Sequence, residues 1–203
     1  MQYGAVLLAA GKGERFKGAK QDLEFHGKAM WKYPYGLLQE IVDPKHLVVV
    51  GKDIPGGHTR SHSVRIGLNA LPEDTDRVII VEAARPMVTH GQLLQLLEDP
   101  HPSVSFVKPL VDTVVFRNGK YLNRDELYDL LTPQAFDYRL LKSAYAQAEQ
   151  RFENMTDETR VMFEAYGIQP FFIETGSNLY KVTYPEDITV LEFIYRTMEA
   201  EVR

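Results

Sequence analysis

The stretch Ala5-Val6-Leu7-Leu8-Ala9 is a short apolar run that leads directly into the glycine-rich segment Ala10-Gly11-Lys12-Gly13. A short apolar run that stops at a glycine-rich turn is typical of a strand buried on both faces of a parallel sheet. Ligands of α/β proteins bind at the carboxyl ends of such strands. We therefore predict that the fold opens with a central strand and that the loop after it borders a binding site.

The rest of the first half repeats the order strand, helix, strand. Strands are predicted at 47–50, 77–81 and 104–107, and helices at 30–40, around 64–71 and at 92–97. This alternation predicts an α/β fold with a doubly wound, mostly parallel sheet.

The second half is predicted to hold helices at 136–152 and 158–166, a strand at 169–173 and a last helix from residue 185 or 186 to the carboxyl end. Thr132, Thr156 and Thr183 are candidate caps for helix starts. No linker or repeat divides the chain, so residues 1–203 are predicted to form a single domain.

Residues 112–124 break the alternation. Thr113-Val114-Val115-Phe116 and Lys120-Tyr121-Leu122 flank the turn Asn118-Gly119, which is typical of a tight β-hairpin. The interpretation is an arm projecting from the main sheet, and the alternative is an ordinary surface loop.

Composition limits the classes of function. The chain has 203 residues, 44% of them hydrophobic, a formal charge of -5 and no cysteine. This charge gives no broad basic field for nucleic acid or anionic membrane. The absence of cysteine excludes disulfides and thiolate nucleophiles and fits the cytoplasm, which we take as the expected location. There is no apolar run of about 18 residues, the length that a spanning helix needs.

The glycine-rich loop is a candidate phosphate site. Its small residues allow a triphosphate to approach the backbone amides, and Arg15 and Lys20 can neutralise charge that builds at a reacting phosphorus. The dinucleotide fingerprint would need glycine in place of Phe16, and the P-loop would need a lysine directly after Gly18, where Ala19 stands. The alternative is a purely structural strand-to-helix turn.

Two further clusters are candidates for ligand contacts. The turn from Gly56 to Val64 places Arg60 at the start of a predicted helix, which suits an anionic or carbonyl-bearing ligand, although Ser61 or Ser63 could simply cap that helix. Glu82 follows a buried strand, where a carboxylate can hold Mg²⁺. Alternatively, Glu82 and Arg85 could form a salt bridge on a loop.

The order of these motifs resembles the 2-C-methyl-D-erythritol 4-phosphate cytidylyltransferase family of isoprenoid biosynthesis, a group of Rossmann-like nucleotidyltransferases. The similarity extends over nearly the whole chain. The matching motifs are Ala9-Ala10-Gly11-Lys12-Gly13-Glu14-Arg15, Lys20-Gln21, Gly56 to Val64, Ala83-Ala84-Arg85-Pro86, Asp112-Thr113, Arg124, Thr132-Pro133-Gln134 and Lys181-Val182-Thr183.

The resemblance implies transfer of CMP from CTP to a phosphorylated polyol with release of pyrophosphate, supported by Mg²⁺. It implies that Arg15, Lys20 and Lys181 are catalytic and that Glu82 holds the metal. The residues implied to bind CTP are Ala9, Ala10, Gly11, Gly13, Gly57, His58, Arg60 and Ser63. The residues implied to bind the acceptor are Arg85, Thr113, Arg124, Thr132 and Thr183. Thr113 and Arg124 would reach this site from the arm of the second subunit of a homodimer.

The chain departs from the family pattern at three places. Glu82 stands where members usually have Asp, His58 stands where they usually have Asp, and the segment between Val50 and Gly56 is shorter. An acceptor such as ribitol 5-phosphate or a phosphonate therefore stays open. So does a non-catalytic nucleotide-binding protein, whereas Phe16 disfavours a nicotinamide-dependent oxidoreductase.

Overall fold

The computed structural model describes residues 1–147, 151–152 and 155–201. The strands are β1 (Tyr3–Leu8), β2 (Glu24–Phe25), β3 (Lys28–Ala29), β4 (Leu47–Val50), β5 (Arg77–Glu82), β6 (Ser103–Pro109), β7 (Tyr128–Asp137) and β8 (Phe171–Glu174). The α-helices are α1 (Lys32–Ile41), α2 (Arg60–Ala70), α3 (His90–Glu98), α4 (Tyr138–Gln147), α5 (Glu158–Tyr166) and α6 (Asp187–Glu201).

Six strands form the central sheet in the order β4-β1-β5-β7-β6-β8. β7 is antiparallel to both of its neighbours, and the other pairings are parallel. The predicted mostly parallel α/β sheet is therefore confirmed. β2 and β3 form a separate two-stranded sheet next to the loop that follows β1.

Alternate residues of β1 explain why the sheet is covered on both faces. Ala5 and Leu7 belong to a core with α1 and α3, whereas Val6 packs in a second core with α2, α4 and α5. Successive side chains of a strand point to opposite faces, so a continuous apolar run serves two layers at once. A third cluster joins α6 to the β2–β3 hairpin through Phe25 and Leu191.

β7 was missed by the sequence interpretation, which placed a helix over 136–152. That helix begins only at Tyr138, and residues 148–150 of the predicted range lie outside the described residues. Pro133 disfavours a strand because proline cannot donate to the ladder. The structure accommodates it where the register shifts, since Ser105 pairs with Gln134 but Phe106 pairs with Leu131. Thr132 thus lies inside a strand and caps no helix.

The other candidate caps also differ from the observed ones. The Thr183 hydroxyl donates to Lys181 O at 3.1 Å and lies four residues before the start of α6 at Asp187. Thr59 caps α2 by accepting from His62 N at 3.1 Å, so neither Ser61 nor Ser63 does. Asp157 rather than Thr156 caps α5.

The predicted hairpin at 112–124 is present in a reduced form. One bridge joins Val115 to Tyr121, and Phe116 N donates to Lys120 O at 2.8 Å. Gly119 has φ +84, which suits the predicted turn. The segment is exposed along most of its length, so it projects from the sheet without regular strands. Among the described residues, no helix is both long and apolar enough to span a membrane.

Candidate active site

A cavity of about 550 Å³ opens at the carboxyl ends of β1 and β5. Cations outnumber carboxylates among its lining side chains, which suits a polyanionic ligand. The ionisable lining residues are Lys12, Glu14, Arg15, Lys20, His58, Arg60, Glu82 and Lys181. The predicted CTP-binding residues Ala9, Ala10, Gly11, Gly13, Gly57, His58, Arg60 and Ser63 all line it too.

The loop after β1 is shaped by one glycine that no other residue could replace without strain. Gly13 has φ +62, and a Cβ there would lie 1.8 Å from the carbonyl oxygen of Gly18. Gly18 N donates to Gly13 O at 3.2 Å, which closes the loop on itself. Ala9 N donates to Val50 O at 2.8 Å and fixes the start of the loop on β4. The closed loop presents Arg15 to the cavity.

Arg15 and Lys20 face the same cavity. The Arg15 guanidinium lies 5.9 Å from the ring centroid of Tyr184, and Lys20 Nζ donates to Val182 O at 2.8 Å. Burial, together with the positive charges of Lys181 and Arg15, lowers the pKa of Lys20, and Glu82 opposes this shift. A phosphate bound in this cavity would favour the charged form of Lys20, because an opposite charge nearby offsets the neighbouring cations.

The lowered pKa of Lys20 predicts a pH effect. The cation is the form that binds phosphate, so kcat/KM for CTP should fall as pH rises through a pKa below the usual 10.5. Lys20→Arg should move this alkaline limb to higher pH, because a guanidinium stays charged there. The measurement is kcat/KM against pH for both proteins. A limb at the same pH in Lys20→Arg would assign it to another group.

Glu82 is the central carboxylate of the site. Its Oε1 accepts from Arg60 Nε at 2.8 Å, and its Oε2 pairs with Lys181 Nζ. Burial alone would raise the pKa of Glu82, but the charges of Arg60 and Lys181 outweigh it and hold the pKa well below its usual range. Glu82 is therefore ionised at neutral pH. Glu82 thus forms its ion pairs with Arg60 and Lys181, and not with Arg85 as the alternative had it.

The donor set suits a hard divalent cation in part. Mg²⁺ is usually held by one or two carboxylates together with substrate phosphates and water. In the described part of the chain no three His, Cys, Asp or Glu residues cluster. Glu14 and Glu82 are the described carboxylates that line the cavity, and Glu82 is the one at the end of a buried strand, where it already pairs with Arg60 and Lys181. Glu82 and the ligand's own phosphates fit such an ion.

Lys181 reaches Glu82 because its neighbour is fixed to the end of β5. Val182 N donates to Ala84 O at 2.9 Å. The turn that follows is held by Asp187, whose Oδ2 accepts from Thr183 N at 2.6 Å and from Tyr184 N at 2.8 Å. Residues distant in sequence thus meet at one edge of the sheet.

The turn before α2 forms the wall opposite the loop. Gly57 N donates to Ser63 Oγ at 3.0 Å, and Ser63 Oγ donates to Thr59 O at 3.0 Å. The shortened segment before it is folded back by Asp53, whose Oδ2 accepts from Val49 N at 2.8 Å. This compact turn brings Gly57 to the cavity.

A second cavity of about 670 Å³ adjoins the first. Arg15, Lys181 and Thr183 line both cavities, and Arg85 lines the second. Arg85 Nε donates to Thr132 Oγ1 at 3.0 Å, and its Nη1 also contacts Leu179 O. Burial lowers the pKa of Arg85, and Glu82 opposes this shift.

Three predicted acceptor residues do not line either cavity in their own chain. Thr132 is buried behind Arg85 and contacts it. Thr113 and Arg124 lie on the exposed arm, where Arg124 Nη1 donates to Val111 O. Neither residue is therefore placed among the lining residues of the two cavities, although Val111, which Arg124 contacts, lines the second one.

Sequence reasoning missed Asp187, which lines the second cavity, and Glu158, which is connected to the site through Arg60. Both are acidic residues in the first turn of a helix, a position that by itself indicates only favourable interaction with the helix dipole. Their contacts with Arg60 and with the Thr183 turn join segments remote in sequence. Only the folded chain reveals them.

The mostly parallel sheet, the closed loop after β1 and the cations around it define a Rossmann-like nucleotidyltransferase. Comparison with known proteins specifies the group. The family model described as IspD, 2-C-methyl-D-erythritol 4-phosphate cytidylyltransferase, matches residues 30–197. The chain belongs to this family.

Individual relatives agree with the family match. A 2-C-methyl-D-erythritol 4-phosphate cytidylyltransferase of Haemophilus influenzae (strain PittGG) is 32% identical over 93% of this chain and 94% of its own length. One of Clostridium botulinum (strain Langeland) is 28% identical over 93% and 95%. These matches confirm the family resemblance of the sequence.

Solved structures show the same fold. The bifunctional IspDF of Campylobacter jejuni aligns with a TM-score of 0.81 and 26% identity, covering 95% of this chain and 55% of that one. The 2-C-methyl-D-erythritol 4-phosphate cytidylyltransferase of Thermus thermophilus aligns with a TM-score of 0.79 and 24% identity, covering 97% and 100%.

Proposed function

We propose that this chain transfers CMP from CTP to 2-C-methyl-D-erythritol 4-phosphate and releases pyrophosphate, a step of isoprenoid biosynthesis. The observation that carries the proposal is the junction of the two cavities, where Arg15, Lys181 and Thr183 line both. One cavity suits the nucleotide and the other the phosphorylated acceptor. The reacting phosphates would meet where the cations are concentrated.

The chemistry needs positioning and charge neutralisation rather than a protein nucleophile. An oxygen of the acceptor phosphate, already an anion, attacks the α-phosphorus of CTP, and the bond to pyrophosphate breaks. Holding both substrates in line supplies much of the acceleration. Arg15 and Lys20 would stabilise the charge on the α-phosphate in the transition state, and Lys181 would hold the oxygens at the junction.

The nucleotide would lie along the first cavity. The backbone amides from Ala9 to Gly13 would bind the triphosphate, and Gly57, His58, Arg60 and Ser63 would contact cytosine and ribose. Arg60 already donates to two carboxylates through Nε and Nη1, so only its remaining N–H groups can contact the nucleotide. Glu82 would hold a divalent cation, which when bound neutralises charge on the triphosphate.

The acceptor would lie in the second cavity. Arg85 and Thr183 would bind it directly, with Thr132 orienting Arg85. Thr113 and Arg124 would come from the arm of a second subunit in a homodimer. Exposed apolar side chains on the arm support this arrangement, since Tyr121 is 74% and Phe116 is 49% exposed, and a contiguous apolar patch at a protein surface marks an interaction site.

The function is tested by pyrophosphate release from CTP, ATP, GTP and UTP with Mg²⁺. Each nucleotide is paired with 2-C-methyl-D-erythritol 4-phosphate, ribitol 5-phosphate and a phosphonate. We expect release that requires both CTP and 2-C-methyl-D-erythritol 4-phosphate. Preference for another acceptor would contradict the proposed acceptor but not the transfer of CMP. No pyrophosphate release with any pair would contradict the transfer itself.

Shared sites predict complementation between two inactive variants. Arg15→Ala disables the loop of one subunit, and Arg124→Ala disables the arm that serves the other. A mixed dimer then contains one site with both wild-type residues, so random mixing restores about a quarter of wild-type sites. The measurement is turnover after mixing, unfolding and refolding the two variants together. A mixture no more active than its components would mean that Arg124 does not act across the dimer.

A further inference from the structure

Glu158 is a fully buried carboxylate with no contact to either cavity. Its side chain is 0% exposed, and it lies at the first residue of α5, whose Val161 and Met162 pack in the core. A buried carboxylate is costly unless it is paired and hydrogen-bonded. Glu158 Oε1 accepts from Arg60 Nη1 at 2.7 Å and from Tyr145 OH at 3.1 Å.

Arg60 connects this buried group to the site. Its guanidinium donates through Nη1 to Glu158 and through Nε to Glu82 Oε1, while Lys181 pairs with Glu82 Oε2. The four side chains form a row of alternating charge that runs from the core to the cavity. The two carboxylates accept from two different nitrogens of the guanidinium. The buried Glu158 therefore fixes the position of the Arg60 side chain.

A second hydrogen-bond chain fixes Glu158 itself. Ser61 Oγ lies 3.0 Å from Tyr145 OH and 2.6 Å from Phe152 O. Burial and the nearby charge of Glu158 raise the pKa of Tyr145, which keeps its hydroxyl protonated and able to donate to Glu158. Burial also raises the pKa of Glu158, and Arg60 opposes that shift. The Arg60 guanidinium, whose Nη1 lies 2.7 Å from Oε1, is the group that favours the ionised form of Glu158.

We infer that Glu158 is a positioning residue for the nucleotidyl-transfer site, acting through Arg60 to fix Glu82 and to keep the charge of Glu82 available to a cation in the cavity. The inference rests on the proposed function. Arg60 and Lys181 already pair with Glu82. Without the charge of Glu158, the positive charge of Arg60 is no longer shared with a second carboxylate and acts on Glu82 alone. Glu82 then attracts a divalent cation less strongly, whereas the phosphate loop is untouched.

The test compares Glu158→Gln with Glu164→Gln. Glu164 lies on the same helix and also pairs with arginine, since Arg151 Nη2 is 2.9 Å away, but it does not line the cavities. CTP binding is measured by calorimetry at increasing Mg²⁺ without acceptor, and kcat and KM are measured with acceptor. For Glu158→Gln we expect the half-saturating Mg²⁺ concentration to rise about tenfold, because residues that support a metal ligand typically affect affinity by 10–100-fold.

Glu158→Gln should also change kcat more than it changes the KM for CTP. At saturating Mg²⁺ kcat should fall by a larger factor than the KM for CTP rises, because the glycine loop that would bind the triphosphate is unchanged and only the Arg60 contact is disturbed. Glu158→Asp should restore part of the Mg²⁺ affinity, because it keeps the charge, and Glu164→Gln should match wild type. Glu158→Asp also provides the comparison if Glu158→Gln does not fold.

An unchanged half-saturating Mg²⁺ concentration in Glu158→Gln, or in Glu158→Asp if only that variant folds, would overturn the inference. So would a loss of activity explained by a smaller folded fraction alone. A wild-type chain that binds CTP with Mg²⁺ but transfers nothing would refute the proposed function instead. Since the calorimetric measurement needs no acceptor and no turnover, the two failures are distinguishable.

Discussion

Arg15→Ala is expected to lower kcat by about 10²–10³-fold, the cost of removing one preorganised group that stabilises charge in a transition state. The affinity for CTP should change far less, because the backbone of the glycine loop and Lys20 remain to bind the triphosphate. Arg15 is exposed and its guanidinium lies over the ring of Tyr184. The Arg15 side chain is therefore able to move into contact with the α-phosphate as negative charge builds on it.

The measurements are single-turnover rates at saturating CTP and the dissociation constant of CTP without acceptor. Arg15→Lys should recover part of the rate, since it keeps the charge but loses the planar donor pair. Lys17→Asn is the matched control. It removes a positive charge from the same loop, does not line the cavity and suits φ 59 at that position. Wild-type turnover in Arg15→Ala would remove Arg15 from the chemistry.

Glu82→Gln should destabilise the protein by about 3 kcal/mol or more at neutral pH, because removal of one member of a buried ion pair leaves its partners uncompensated. Glu82 is 8% exposed and pairs with both Arg60 and Lys181. The same change removes the carboxylate proposed to hold the divalent cation, so activity should require far more Mg²⁺. Glu73→Gln provides the contrast, since Glu73 pairs with Lys142 at the surface and should cost less than about 1 kcal/mol.

The destabilisation by Glu82→Gln should depend on pH. The folded-state pKa of Glu82 is lowered, so its contribution is fully present above the unfolded carboxyl pKa of about 4.3 and is lost as pH falls towards the folded pKa. Denaturant unfolding of both proteins at pH 7 and below pH 4 measures this. The free-energy difference should be large at pH 7 and smaller in acid. A difference that stays constant with pH would show that Glu82 stabilises the fold by packing rather than by charge.

The first half of the fold could be predicted because its signals are local. β1, β4 and β5 each contain an uninterrupted apolar run, at 5–8, 47–50 and 78–81, and both faces of each run are buried against helices. The hairpin turn at Asn118-Gly119 was also predictable, since few residues adopt positive φ as readily as glycine. β7 could not be predicted, because Pro133 is tolerated only where the register shifts opposite β6.

The residues of the candidate site also fall into two groups, those with a local sequence signal and those without one. Arg15 and Lys20 follow β1 closely in sequence, so the geometry of a parallel strand already directs them to one edge of the sheet. Lys181 carries no such local signal and reaches Glu82 because Val182 is hydrogen-bonded to Ala84. Glu158 has no local signal either, because it is connected to the site through its hydrogen bond with Arg60, which in turn donates to Glu82.

The sequence by itself determined the α/β class, the glycine-rich loop after the first strand and the family, because apolar periodicity, glycine placement and motif order can all be read along the chain. The tertiary structure alone decided the antiparallel β7, the two adjoining cavities and the buried row from Glu158 to Lys181. These depend on long-range pairing, where the desolvation of each charge is offset by a partner from a distant segment. No local pattern encodes which distant partner that is.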